Sequence, residues 1–238
     1  MGGALPPDHL ARSPLLPRPH TRLHRLPRGG SVSQLSGLTA ALRDGAAGPL
    51  GQFGRAPDYA RPAAVLILLT DEPDPAVLFT ERAGGLRAHA GQISFPGGGA
   101  ETGETPVATA LREACEEVGL DAGLVTVLGQ LPTAWVPASG YEVTPVVARW
   151  SEPLPLAPVD PGEVANVLQL RISQLSDPAT RVTATVPGGY RGPGFQLGDL
   201  FIWGMTAHLL DVTLRVAGWE QSWDRDREVP VPGRFLRD

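Results

Sequence analysis

A chain of 238 residues with 42% hydrophobic content can bury a sizeable core and points to one main domain with extensions. Its formal net charge of −5 repels polyanions over the surface as a whole, which argues against a general nucleic-acid binder. The longest unbroken apolar run, Ala63 to Leu69, is too short to span a membrane, and the single cysteine, Cys115, excludes an internal disulfide and fits a reducing, cytoplasmic setting.

Residues 1–31 are rich in Pro and Arg and show no apolar periodicity, so a disordered tail is expected there. Residues 32–61 read as a short helix, Gln34 to Arg43, followed by a Gly/Pro linker. The main domain then spans 62–218. Ala63 to Leu69 and Ala76 to Thr80 read as strands around the turn DEPDP, and Gln92 to Phe95 leads into a glycine loop. A helix is expected over Pro106 to Val118, then strands over Val125 to Leu131 and Val143 to Trp150. Val164 to Leu168 reads as a short strand or extended segment and Ile172 to Leu175 as a helical turn. Arg181 to Val186 and Phe195 to Leu197 form a candidate hairpin around PGGYRGPG. Trp203 to Val216 reads as a terminal helix with Met205, Leu209, Val212 and Val216 as its apolar stripe. The extension 219–238 is polar, and its tryptophans look exposed.

The chemistry concentrates in Gly98 to Leu120, GGAETGETPVATALREACEEVGL. Thr105 suits an N-cap, Pro106 the first helical position and Gly119 the C-terminal stop. At about 100° per residue, Glu113, Glu116 and Glu117 share an arc of about 100°. Val107, Ala110, Leu111, Ala114 and Val118 fill the neighbouring flank, which packs on a core. Cys115 lies away from the acids and reads as a small packing residue. Carboxylates crowded this closely repel one another, so a hard divalent cation with oxygen ligands is the natural counter-charge. A solvated acidic helix face is the alternative reading; the preceding glycine turn FPGGG, Glu104 and Arg112 at these spacings argue against it. Just upstream, Arg82, Arg87 and His89 form a basic cluster suited to phosphate, with a structural ion pair or a solvated strand end as the other reading.

This segment resembles the Nudix box, G-x5-E-x7-R-E-U-x-E-E-x-G-U with U bulky and aliphatic, through Gly98, Glu104, Arg112, Glu113, Glu116, Glu117, Gly119 and Leu120. Ala114 is smaller than the first U position asks. The upstream run Val77 to Gly98 resembles the signature of the coenzyme A pyrophosphatase branch of that family, L-L-[TL]-x-R-[SA]-x3-R-x3-G-x3-F-P-G-G. Leu78, Thr80, Arg82, Ala83, Arg87, Gly91, Phe95, Pro96, Gly97 and Gly98 match it, and Phe79 replaces the second leucine. The stretches SGYEVTPVVA, DPGEV and IWGMTAHLL look like the same branch, so the resemblance covers roughly residues 62 to 217.

The resemblance implies an α/β/α sandwich with a mixed sheet and a loop–helix–loop metal site. It also implies Mg²⁺- or Mn²⁺-dependent hydrolysis of the pyrophosphate bond of coenzyme A to 4′-phosphopantetheine and adenosine 3′,5′-bisphosphate. Glu113, Glu116 and Glu117, with a carbonyl from Gly98, would hold the metal. Glu104 and Arg112 would brace loop against helix. Arg82, Arg87, His89, Gly97 and Gly98 would meet the substrate. The general base is a box glutamate or Glu163, which could equally be a surface acid. Two rival functions remain open: a pyrophosphatase of ADP-ribose, NADH or a dinucleoside polyphosphate, and a non-catalytic ligand-binding regulator. Oligomeric state and the choice among free, oxidised and acylated coenzyme A are not written in the sequence.

Overall fold

The structure is a computed structural model and describes residues 34–45, 48, 54–86 and 89–236. The N-terminal tail, part of the linker after it, and Arg87 therefore lie outside the described residues. A short helix α1 (Ser36–Arg43) precedes the first strand, β1 (Arg61–Thr70), which is followed by β2 (Ala76–Arg82), β3 (Ile93–Ser94) and β4 (Gly97–Gly99). The helix α2 (Pro106–Val118) comes next, then β5 (Val125–Gln130), β6 (Ala134–Val136), β7 (Tyr141–Trp150) and β8 (Val164–Arg171). The turn α3 (Ile172–Leu175), the strands β9 (Arg181–Val186), β10 (Tyr190–Leu197) and β11 (Leu200–Ile202), the helix α4 (Gly204–Val216) and a last strand, β12 (Glu228–Pro230), complete the order.

Two sheets result. The larger has the path β3-β2-β1-β7-β5, with β4 added to β1, β6 to β7 and β8 to β2. It is mixed: β1 runs parallel to β7 over its whole length, Arg61 opposite Tyr141 and Thr70 opposite Trp150, while its other pairings are antiparallel. The smaller sheet has the order β11-β10-β9-β12. The period of two in β1 explains the layering. Ala64, Leu66 and Leu68 face α2 together with Ala110, Ala114 and Val118. Ile67 and Leu69 face the opposite way, into a core with Leu35 and Leu38 beside α1 and Leu209, Leu210 and Val212 on α4. A strand covered on both faces reads as the continuous apolar run seen in the sequence. The α/β/α sandwich is the observed architecture, with the four-stranded sheet added to it. Among the described residues no helix is long and apolar enough to cross a membrane.

The helix boundaries follow local chemistry. The Thr105 hydroxyl accepts the Ala108 N–H at 3.2 Å, Pro106 opens α2, and Gly119 takes the left-handed conformation at φ 70° that ends it. On α4, Leu209 and Val212 are buried and Met205 and Val216 pack at the edge of the same core, as the stripe requires.

Two expectations need correction. The tryptophans of the last segment are half-buried rather than exposed: Trp219 packs against the main core, and the Arg181 guanidinium lies 4.6 Å from the centre of the Trp223 ring. The segment itself is built into the small sheet, where β12 pairs with β9 in parallel and Val231 and Phe235 are buried with Val182, Ala184 and Phe201. Its apolar residues have no period because each answers a different neighbour. The second correction concerns α2. Glu117 does not lie on a flank outside the core but is buried at the end of the apolar face, 8% exposed.

Candidate active site

The site is assembled where β4 delivers the chain to α2. Ala64 on β1 stands opposite Gly98, which holds the glycine strand against the sheet beside the helix. A Cβ on Gly98 would lie 2.5 Å from the Glu113 carboxylate, and one on Gly97 would lie 2.4 Å from the Ala64 carbonyl oxygen. Backbone leaves no room for a side chain at 97, whereas one at 98 would displace the Glu113 carboxylate. The Gly97 N–H donates to the Glu117 carboxylate.

Arg112 is the hub of the loop–helix junction. Its Nε and Nη2 donate to both oxygens of Glu104, at 2.9 and 3.0 Å, the bidentate pairing that a planar guanidinium favours. Nη1 donates to Glu113 at 2.8 Å and to Glu116 at 2.9 Å, and Nη2 also reaches the Gly99 carbonyl at 3.0 Å. Glu104 accepts from the Thr109 hydroxyl and the Glu101 N–H as well, both at 2.9 Å. Foremost the Arg112 hydrogen bonds, then the Glu101 N–H, hold the Glu104 carboxyl down to about 2, and Glu104 in turn raises the Arg112 pKa. Thr109 and the Gly99 carbonyl complete the brace without any sequence signal, since neither residue type marks the role.

The remaining acids show the strain of crowding. Burial pushes the Glu117 carboxyl up to about 7, and the charges of Glu163 and Glu113 push in the same direction. Its Oε2 is buried with no hydrogen-bond partner. Glu113 is also raised, by burial first, against the pull of Arg112. Glu116 lies at the rim and is largely exposed.

From the other side come β2 and β8. Arg82 ends β2 opposite Val164, its positive charge favours the ionised form of Glu117, and its Nε is buried without a hydrogen-bond partner. Glu163 precedes β8, and its carbonyl accepts the Ala83 N–H at 2.8 Å. Glu113, Glu117, Glu163, Arg82, Gly97 and Gly98 are thus brought together from four separate stretches of chain. His89 is not part of this group: it is exposed at φ 60° in the loop between β2 and β3, with Nδ1 3.1 Å from the Gln92 side-chain oxygen. The other basic candidate, Arg87, lies outside the described residues. Cys115 is a free, half-buried thiol.

Among the described residues no three His, Cys, Asp or Glu side chains converge on one point at ligand distance. The cause is visible: Arg112 draws Glu113 and Glu116 toward itself, while Glu117 turns inward. The donor set nevertheless suits a hard divalent cation. Every donor is oxygen, negative charge is in excess, and one buried carboxylate oxygen has no proton donor to satisfy it.

Residues 60–185 match the NUDIX domain, more than half of the chain, and the protein belongs to the Nudix family of hydrolases that act on pyrophosphate bonds. Within that family it is 37% identical over 172 residues to the uncharacterized Nudix hydrolase NudL of Shigella flexneri serotype 5b (strain 8401), an alignment covering 67% of this chain and 84% of that protein. It is 36% identical over 167 residues to the protein of the same name from Cronobacter sakazakii (strain ATCC BAA-894), with the same coverage. Among solved structures, the Nudix hydrolase RenU of M. smegmatis aligns over 50% of this chain and 74% of its own, with 30% identity and a TM-score of 0.43.

Proposed function

We propose that this Nudix hydrolase cleaves the pyrophosphate bond of coenzyme A, releasing 4′-phosphopantetheine and adenosine 3′,5′-bisphosphate, with Mg²⁺ or Mn²⁺ as cofactor. The observation that carries the substrate is the continuity of two motifs. The run from Leu78 to Gly98, which resembles the coenzyme A branch signature, ends at the glycine strand of the carboxylate site, and its Arg82 stands beside Glu117. We read the protein as a cytoplasmic small-molecule enzyme, with neither nucleic acid nor membrane as a partner.

Glu113, Glu116 and Glu117, with the Gly98 carbonyl, would hold the cation. Bound there, it would supply neutralisation of phosphate charge and activation of a water molecule. The chain's own residues supply the rest. Arg112, anchored by Glu104, fixes the loop to the helix and gives Glu113 and Glu116 a resting partner. Arg82 presents donors to the pyrophosphate, and glycine at 97 and 98 lets a phosphate approach the backbone. Glu163 reaches the carboxylate site from another part of the chain, and we assign it the role of accepting a proton from the attacking water. Incubation with coenzyme A and Mg²⁺ followed by mass analysis tests the proposal. The two named products support it; intact coenzyme A after long incubation with either metal rejects it.

A further inference from the structure

A cavity of about 690 Å³ opens at the end of β2, lined by Glu81 and Gly84 on either side of Arg82 and of Ala83, whose N–H donates to the Glu163 carbonyl. Its volume falls within the range of about 300–1,000 Å³ usual for small-molecule sites. Leu86, Ile93, Phe201 and Phe235 give it an apolar lining, and Glu81 and Asp199 stand among them as acids. The C-terminal segment closes one wall. Gln92 donates to the Phe235 carbonyl at 2.9 Å, which ties that wall to the loop after β2. Arg234 donates to the Asp199 carbonyl and lies 4.7 Å from the Phe235 ring centre, so this basic residue is held by the wall itself.

We propose that this cavity receives the pantetheine arm of coenzyme A. The assignment rests on the proposed substrate and adds where its uncharged part is held. The substrate has three chemically distinct parts. The pyrophosphate belongs with the carboxylates and Arg82. The 3′-phosphorylated nucleoside is strongly anionic and would meet two acids, Glu81 and Asp199, against one base, Arg234, among the described lining residues. Pantetheine is uncharged, mostly aliphatic, and carries amide N–H groups that can donate to acids and carbonyls along its length. An apolar cavity edged by carboxylates suits that arm and not the nucleotide. Energy gained equally in the ground and transition states by holding this remote part lowers KM and so raises kcat/KM. The wall contributed by residues 234 and 235 gives the last segment of the chain a direct part in substrate choice.

The test uses the full chain and two independent fillings of the cavity, Ala90→Trp and Leu200→Trp, each checked for folding by its thermal midpoint. Binding of free pantetheine is followed by saturation-transfer NMR without metal. Wild type should bind it, and each folded variant should weaken binding by about tenfold or more. The KM for coenzyme A should rise by a similar factor with kcat little changed, while competitive inhibition by adenosine 3′,5′-bisphosphate stays as in wild type. The proposal is overturned by absence of pantetheine binding to wild type, or by pantetheine binding that survives both fillings. It is also overturned if the fillings weaken adenosine 3′,5′-bisphosphate and spare pantetheine, because the cavity then holds the nucleotide. Pantetheine bound by a protein that leaves coenzyme A intact would reject the proposed reaction while the arm pocket stands.

Discussion

Two arginines organise this molecule in opposite ways. Arg112 is partly exposed and shares its guanidinium among Glu104, Glu113, Glu116 and the Gly99 carbonyl. Arg181 on β9 is fully buried, pairs with Asp211 on α4, and lies between the rings of Phe195 and Trp223 at 4.5 and 4.6 Å. Burial lowers the Arg181 pKa against the pull of Asp211, whereas the Arg112 pKa is raised. An arginine with several exchangeable partners can release a carboxylate to a ligand at small cost. A buried arginine with one carboxylate cannot, because the lost partner leaves a charge without compensation. The first network is suited to chemistry and the second to joining the small sheet, α4 and the C-terminal segment.

The largest expected effect separates the two regions. Glu117→Gln removes a charge at nearly constant volume, and hydrolysis should fall by at least about a thousandfold, or about 4 kcal/mol in the barrier. Metal-free thermal stability should hold or rise, since a buried, crowded carboxylate is relieved. A variant that hydrolyses normally, or one that no longer folds, contradicts the role. Asp211→Ala should do the reverse. It should cost about 3–5 kcal/mol of stability, read from the urea midpoint at unchanged slope, because Arg181 stays buried and unpaired. A loss below about 1 kcal/mol would show that the two rings alone sustain the cation.

A smaller effect comes from pH. The Glu117 carboxyl holds its proton up to about 7 in the folded protein against 4.5 as its ordinary value. Between these values the folded state binds more protons than the unfolded one, so metal-free stability should fall as pH rises from about 4.5 to about 7. The drop should be on the order of 1–3 kcal/mol, and Glu117→Gln should flatten it. An identical slope in wild type and variant would assign the titration to another group. The smallest effect is at the surface. The Arg191–Glu228 pair at 2.9 Å is about half exposed on both sides, so Arg191→Ala should change stability by less than about 1 kcal/mol. A cost near that of Asp211→Ala would erase the distinction between buried and exposed pairs.

The limits of α2 were readable because they depend on neighbours within a few residues: Thr105 as cap, Pro106 at the first turn, Gly119 at the stop. So was the pairing of Glu104 with Arg112, since a loop and one helix turn fix their distance, and so were the long strands that carry continuous apolar runs. The short strands β6, β11 and β12 were not, because three residues carry no period and become strands only when a distant partner offers its hydrogen bonds. The hairpin arm at β10 starts five residues earlier than its apolar residues indicate, since the backbone partner on β9 continues through the glycines. Helical angles placed the Glu117 side chain beside the apolar flank of α2, but its burial is completed by distant chain: the Gly97 N–H reaches its carboxylate, and the Val159 N–H donates to its backbone carbonyl at 3.0 Å. The same holds for Arg181, Phe235 and the tryptophans of the last segment, whose environments are made by chain tens of residues away. Local spacing set which groups could do chemistry and in what order they lie. Long-range packing set which of them are stripped of water, which are paired, and which wall a substrate would meet.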